Sequence, residues 1–200
     1  MENFLKIFLP VYFVVYFGIA FIGRTLITAK KIGKNPFVLQ KDDRAYGLIG
    51  LYLRLLMVTM FLYVIAYPFL SEWYGIFLSI KLLNIEIVKY AGIGFLTFSF
   101  IWTVIAQKQM RESWRIGIDF QTKTELIISG LFNISRNPIF LGMIAVLIGL
   151  FLLTPNVFTI FFLLFGYVLI QIQVRLEEEH LLNINGDIYR EYCGKVRRWI

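Results

Sequence analysis

Apolar positions along this chain gather into long, nearly unbroken runs instead of recurring at the spacing of a half-buried helix or strand. About 20 such residues in a row cross a bilayer as a helix. Residues 4–28, 46–70, 87–107, 138–153 and 157–174 each meet or approach that length, which predicts five transmembrane helices. The fourth run is the shortest, at about 24 Å by the helical rise, so it starts below the headgroups or thins the bilayer around it. Only Thr154, Pro155 and Asn156 separate the last two runs. They therefore form an antiparallel hairpin whose far ends meet on one side of the membrane.

Polar residues between the runs set the orientation. Arg24, Lys30, Lys31, Lys34, Lys41 and Arg44 follow the first run. Lys108, Arg111, Arg115, Lys123 and Arg136 lie between the third and fourth, and Arg175, Arg190, Lys195, Arg197 and Arg198 follow the fifth. The other side has Lys6, Lys81 and Lys89. Basic loops stay in the cytoplasm, so the N-terminus is expected outside and the C-terminus inside, in the plasma (inner) membrane. After the fifth run, Ile188, Tyr192, Val196, Trp199 and Ile200 make a helical stripe with the basic residues largely off it. That stripe predicts an amphipathic helix lying on the cytoplasmic leaflet.

Composition agrees with the runs. Of 200 residues, 58% are hydrophobic and 18% aromatic, and the mean hydropathy is +0.71; this is no ordinary soluble domain. The formal charge of +7 sits between apolar runs, where it meets lipid headgroups and sets topology instead of marking a nucleic-acid surface. The first run is too long for a cleaved signal peptide and lacks a small-residue cleavage site. Cys193 is the one cysteine and His180 the one histidine, so no internal disulfide and no His/Cys metal site is expected. No Gly-rich phosphate loop follows a strand pattern. The fold class expected is all-α, a polytopic membrane protein with one membrane domain over residues 1–200. Residues 1–106 hold three spans, and residues 107–200 hold a ligand-binding half with the 138–174 hairpin and the tail.

Two polar clusters interrupt this pattern at neighbouring ends of the hairpin. In "SRNPIFLGM" (135–143), Pro138 suits the first helical position, where its missing N–H costs nothing. The free N–H groups of that helix start, with Arg136 and Asn137 beside them, make a site for a carboxylate or phosphate. Arg136 also fits a simple membrane-end arginine. The second cluster, Glu177, Glu178 and Glu179, opposes the dipole of a helix ending there and repels itself. A compensating positive charge is required: Arg175, a tail arginine or a bound cation. Successive residues point about 100° apart, so one or two of these carboxylates face the hairpin partner. An anion site opposite a carboxylate cluster suits a zwitterion with an amino-acid head, of which S-adenosylmethionine is one. Between the third and fourth runs, "QMRESWRIGID" (109–119) places Trp114 and Arg115 where they could line the mouth of such a site or serve as interfacial anchors.

The sequences "SGLFNISRNPIFLG" and "EEEHLLNINGDIYREY", at their separation across a hairpin, resemble the isoprenylcysteine carboxyl methyltransferases and the related phospholipid methyltransferases. The resemblance covers about residues 110–200. It implies S-adenosylmethionine bound at the cytoplasmic ends of the last two spans, enclosed by the tail, with a lipophilic or lipid-modified acceptor entering from the bilayer. Carried over by position, it implies cofactor contacts from Glu125, Leu126, Ile127, Phe132, Arg136, Asn137, Pro138, Phe140, Gly142, Glu177 and Glu178. Leu126 and Ile127 would lie along the adenosyl group. Arg136, Glu177 and Glu178 become the catalytic candidates, and Trp114, Arg115 and Arg175 the substrate-binding ones. Asn137 stands where the family usually has His, and Phe140 where it has Tyr. A nicotinamide-dependent enzyme resembling sterol reductases, or a membrane protein with a degenerate site, are the rival readings. Charged residues inside the spans are sparse, Arg54 being the one well within an apolar run, which disfavours a transporter.

Overall fold

The computed structural model describes residues 1–38, 45–70, 78–119 and 125–200. Lys41, Arg44 and Lys123, which count toward the charge asymmetry, lie outside the described residues. Among the described residues the regular structure is helical: α1 (Glu2–Phe17), α2 (Arg24–Ile32), α3 (Ala45–Leu70), α4 (Glu86–Met110), α5 (Pro138–Leu153), α6 (Val157–Asn185) and α7 (Asp187–Lys195). A π-helical turn, Gly18–Gly23, joins α1 to α2, so one helical rod runs from Glu2 to Ile32. Wide turns of this kind free backbone groups and gather at functional sites. Here Gln107 Nε2 donates to the Ala20 carbonyl at 2.8 Å.

Four of these rods are long and apolar enough to cross a membrane: Glu2–Ile32, Ala45–Phe69, Glu86–Ser113 and Val157–Asn185. The fifth apolar helix, α5, is shorter at 16 residues, as the length of the fourth apolar run predicts. Its bounds are those of the fourth apolar run. The core forms where helical stripes meet. Leu5, Leu9, Phe13 and Tyr16 of α1 and Leu56, Met60, Val64 and Tyr67 of α3 recur every three or four residues and are buried together. Ile7, Val11 and Val14 on the outer face of α1 stay exposed and apolar, as a surface against lipid tails must.

α5 packs closest on α4. Gly142 leaves no room for a side chain, since an added Cβ would lie 2.2 Å from Thr103 Oγ1. Gly92 and Gly149 let the two backbones approach in the same way, the packing by which membrane helices associate without a hydrophobic drive. Ser99 Oγ donates to the Gly142 carbonyl at 2.7 Å, and Trp102 Nε1 donates to the Pro138 carbonyl at 2.9 Å. These bonds pin the start of α5 against the side of α4. At the other end, Asn156 caps α6 by accepting from the Phe158 and Thr159 N–H groups, with Thr159 closing a capping box.

α6 continues past the fifth apolar run to Asn185, so the three glutamates lie well inside the helix and the end-dipole penalty largely vanishes. In the tail, the short helix α7 buries Tyr189 and Tyr192. Of the expected stripe, Tyr192 and Val196 are buried, while Ile188 and Ile200 are 68% and 67% exposed. After Lys195 the chain leaves the helix and returns to the start of α5, where the Arg136 N–H donates to the Arg197 carbonyl at 3.0 Å.

Candidate active site

The returning tail, the approach to α5 and the outer half of α6 meet around Glu178. This carboxylate is buried. Arg198 grips it with Nε at 3.1 Å from both oxygens and Nη2 at 2.8 Å from Oε2. Asn137 Nδ2 donates to Oε1 at 2.9 Å, and Arg136 Nη2 approaches Oε1 at 3.5 Å. The compensating cation demanded by the glutamate run is therefore a tail arginine aided by Arg136. Hydrogen bonding to Glu178 raises the pKa of Arg198 further. Ser135 Oγ donates to the Arg198 carbonyl and Tyr192 Oη to the Phe132 carbonyl, so side chains also tie the segment before α5 to the tail. Burial first, then the Glu178 charge, raises the Tyr189 pKa. Burial likewise pushes Tyr192 up to about 12.

Next to this clamp lie two adjoining chambers. The smaller, of about 100 Å³, is walled by Glu125, Leu126, Ile127, Phe132, Arg136, Asn137, Glu177, His180, Tyr189 and Tyr192, among others. The larger, of about 530 Å³, runs between the helices past Phe17, Phe21, Leu53, Met57, Phe140 and Met143. Arg115, Phe132, Arg136, Asn137 and Glu177 face both chambers. The mouth of the larger one is crossed by a short backbone pairing: the Val38 N–H donates to the Ile116 carbonyl at 2.9 Å and the Ile116 N–H to that of Pro36 at 3.0 Å.

The sequence-expected residues divide accordingly. Glu125, Leu126, Ile127, Phe132, Arg136, Asn137 and Glu177 come together around the smaller chamber. Pro138 and Phe140 face only the larger one, with Trp114, while Arg115 faces both. Glu178 turns away from both chambers into the clamp, and Gly142 is packed under Thr103. Arg175 lies elsewhere, with Nη1 donating to the carbonyl and side-chain oxygens of Gln171. The Asn137 carboxamide supplies an N–H to Glu178. Arg54, Thr25, Gln173 and Asp119, absent from the expected set, also face one chamber or the other. So does His180.

Apolar helices of this length around a chamber at one end mark an integral membrane protein. The chain belongs to the phospholipid methyltransferase family, whose model matches residues 87–188. It is thus a membrane methyltransferase by family. The match spans α4 to the start of α7 and so contains most of the smaller chamber's wall, while α1 and α3 fall outside it. Comparison with curated proteins gives no match.

Proposed function

We propose that this protein transfers a methyl group from S-adenosylmethionine to a lipophilic acceptor drawn from the bilayer. The observation that carries this reading is the pair of adjoining chambers, one polar at the bundle end and one apolar between the helices, sharing Arg136, Asn137 and Glu177. The residues of the smaller chamber suit the cofactor. Arg136 Nε is buried without a partner among the described residues and is free for a carboxylate, while Glu177 answers an ammonium. Leu126, Ile127, Phe132 and Ile184 offer apolar surface to an adenosyl group. The smaller chamber alone is below the ~300–1,000 Å³ of ordinary ligand sites, so a ligand of this size needs the shared wall as well.

Bound there, the cofactor supplies a methyl group on a sulfonium, which a nucleophile takes with release of a neutral thioether. The chain's own work is mainly positioning, which accounts for much of the rate in such transfers. The clamp on Glu178 fixes the backbone at residues 135–137, and the tail keeps water from the chamber. A carboxylate acceptor is already ionised and needs no base. An amine acceptor would pass its proton to a carboxylate oxygen of Glu177, which faces both chambers. The basic segments argue for the polar end facing the cytosol, where the cofactor is dissolved.

Purified protein supplied with tritiated-methyl S-adenosylmethionine and whole-lipid vesicles is expected to label an organic-extractable product. Label found only in water-soluble acceptors would end the lateral-entry reading.

A further inference from the structure

We propose that Arg54 anchors the acceptor: its guanidinium binds the anionic group, phosphate or carboxylate, of a lipid whose chains lie in the larger chamber. The inference rests on the methyltransferase reading and adds a substrate chemistry to it.

Arg54 lies inside α3, on a helix otherwise apolar enough to cross a membrane. A charge in a membrane helix carries a desolvation cost and normally faces a partner or a polar cavity. Arg54 faces the larger chamber. Its Nε is buried with no hydrogen-bond partner, and no ion pair engages it among the described residues.

The rest of the wall agrees. Thr25 Oγ1, Trp114 Nε1 and Arg136 Nε are likewise buried without partners, and all three residues face this chamber. Trp and Arg nitrogens can only donate, and the Thr hydroxyl can. A ligand that satisfies them together offers acceptors and negative charge. Buried unsatisfied donors are uncommon enough in folded proteins that several around one cavity point to a missing ligand. Between these donors the wall is apolar, with Phe17, Phe21, Leu53 and Met57. Gly50, one turn before Arg54 on the same face, also borders the chamber. Donors set among aromatic and aliphatic side chains suit an anionic head on a hydrocarbon chain.

The test uses the full chain in detergent, with native mass spectrometry of retained dioleoylphosphatidic acid, oleate and neutral dioleoylglycerol. Wild type is expected to retain one or both acids about tenfold better than the neutral lipid, as charge-assisted binding requires. Arg54→Gln is expected to erase that preference, and Arg54→Lys to keep part of it. Since the protein is basic overall, dependence on Arg54 separates this site from attraction to the surface. Retention of phosphatidic acid alone assigns a phospholipid, and retention of oleate alone a fatty carboxylate. S-adenosylhomocysteine binding, gel filtration and circular dichroism are read beside each variant. If Arg54→Gln does not fold, Arg54→Met, apolar and suited to the helix, replaces it. No preference in wild type, or one that survives loss of the charge, overturns the proposal. An Arg54-dependent preference without S-adenosylhomocysteine binding would leave the anion site standing and remove the methyltransferase reading.

Discussion

Asn137 donates its carboxamide N–H to Glu178 Oε1 at 2.9 Å, joining the residue before α5 to the outer half of α6. Forty-one positions separate the two, yet with Arg136 and Arg198 they form one cluster around the buried carboxylate. Asn137 and Arg136 line the chambers, and Glu178 holds them in place from behind. Glu177, one residue earlier and about 100° around the helix, faces both chambers. Adjacent glutamates thus differ in surroundings, one held in the clamp and one turned to the cavities.

Replacing that donor tests the division. Asn137→Leu leaves Glu178 short of one bond and should lower stability by about 1.5–3 kcal/mol, the range for hydrogen bonds to charged groups. Asn137→Asp sets a second carboxylate against Glu178 and should cost more. Asn137→His, which restores an N–H donor, should come closest to wild type. Thermal unfolding in detergent gives the order, and Asn137→Leu matching wild type would remove the cluster's structural role.

The tail depends on the same carboxylate. Arg198→Ala should destabilise by about 2 kcal/mol, less than the 3–5 of a fully buried broken pair, because the Arg198 side chain is 33% exposed. Amide exchange should rise first in residues 187–200. Protection unchanged in that segment would show the tail is held by Tyr189 and Tyr192 alone.

Gly142→Ala would drive a methyl group into Thr103 and force α4 and α5 apart. Overpacking of this kind costs about 1–3 kcal/mol, and Thr103→Ala should recover most of it as a coupled pair. Equal losses in the single and double variants would mean that the contact does not set the helix separation.

Alkaline pH should release the tail. In the folded protein Tyr192 titrates near 12, raised mainly by burial, against about 10 when unfolded. Its raised value means the folded state favours the neutral phenol. That stabilisation is complete below pH 10 and is lost as pH rises toward 12, where the phenolate can no longer donate to the Phe132 carbonyl. Proteolysis of the tail should accelerate across that window in wild type and show a weaker rise in Tyr192→Phe. An identical rise in both would assign it to another group.

Much of the bundle was legible because apolar runs mark helices. Proline 138 and the Thr154–Asn156 turn bracket α5 in sequence as they do in the structure. Hydropathy shows where lipid contact ends, however, not where a helix ends. Gln171, Gln173 and Arg175 look like a membrane boundary, yet α6 continues 11 residues past Val174 to Asn185. The tail misled for a related reason. A helical stripe assumes the helix persists, whereas the chain unwinds after Lys195 to satisfy the Arg136 N–H. The need for a cation near the glutamates was readable, but choosing Arg198 over Arg175 required the tail's path. Arg54 stood out as a charge in an apolar run, and only packing shows the cavity it faces.

Ligand binding to the smaller chamber is the central claim, and calorimetry with S-adenosylhomocysteine tests it directly. Wild type should bind. Glu177→Ala should weaken binding about tenfold, near 1.4 kcal/mol. Ile127→Trp, which fills the chamber, should abolish it. Arg175→Ala, remote from both chambers, should bind as wild type does. Folded wild type that fails to bind, or binding that Ile127→Trp leaves intact, would contradict the account.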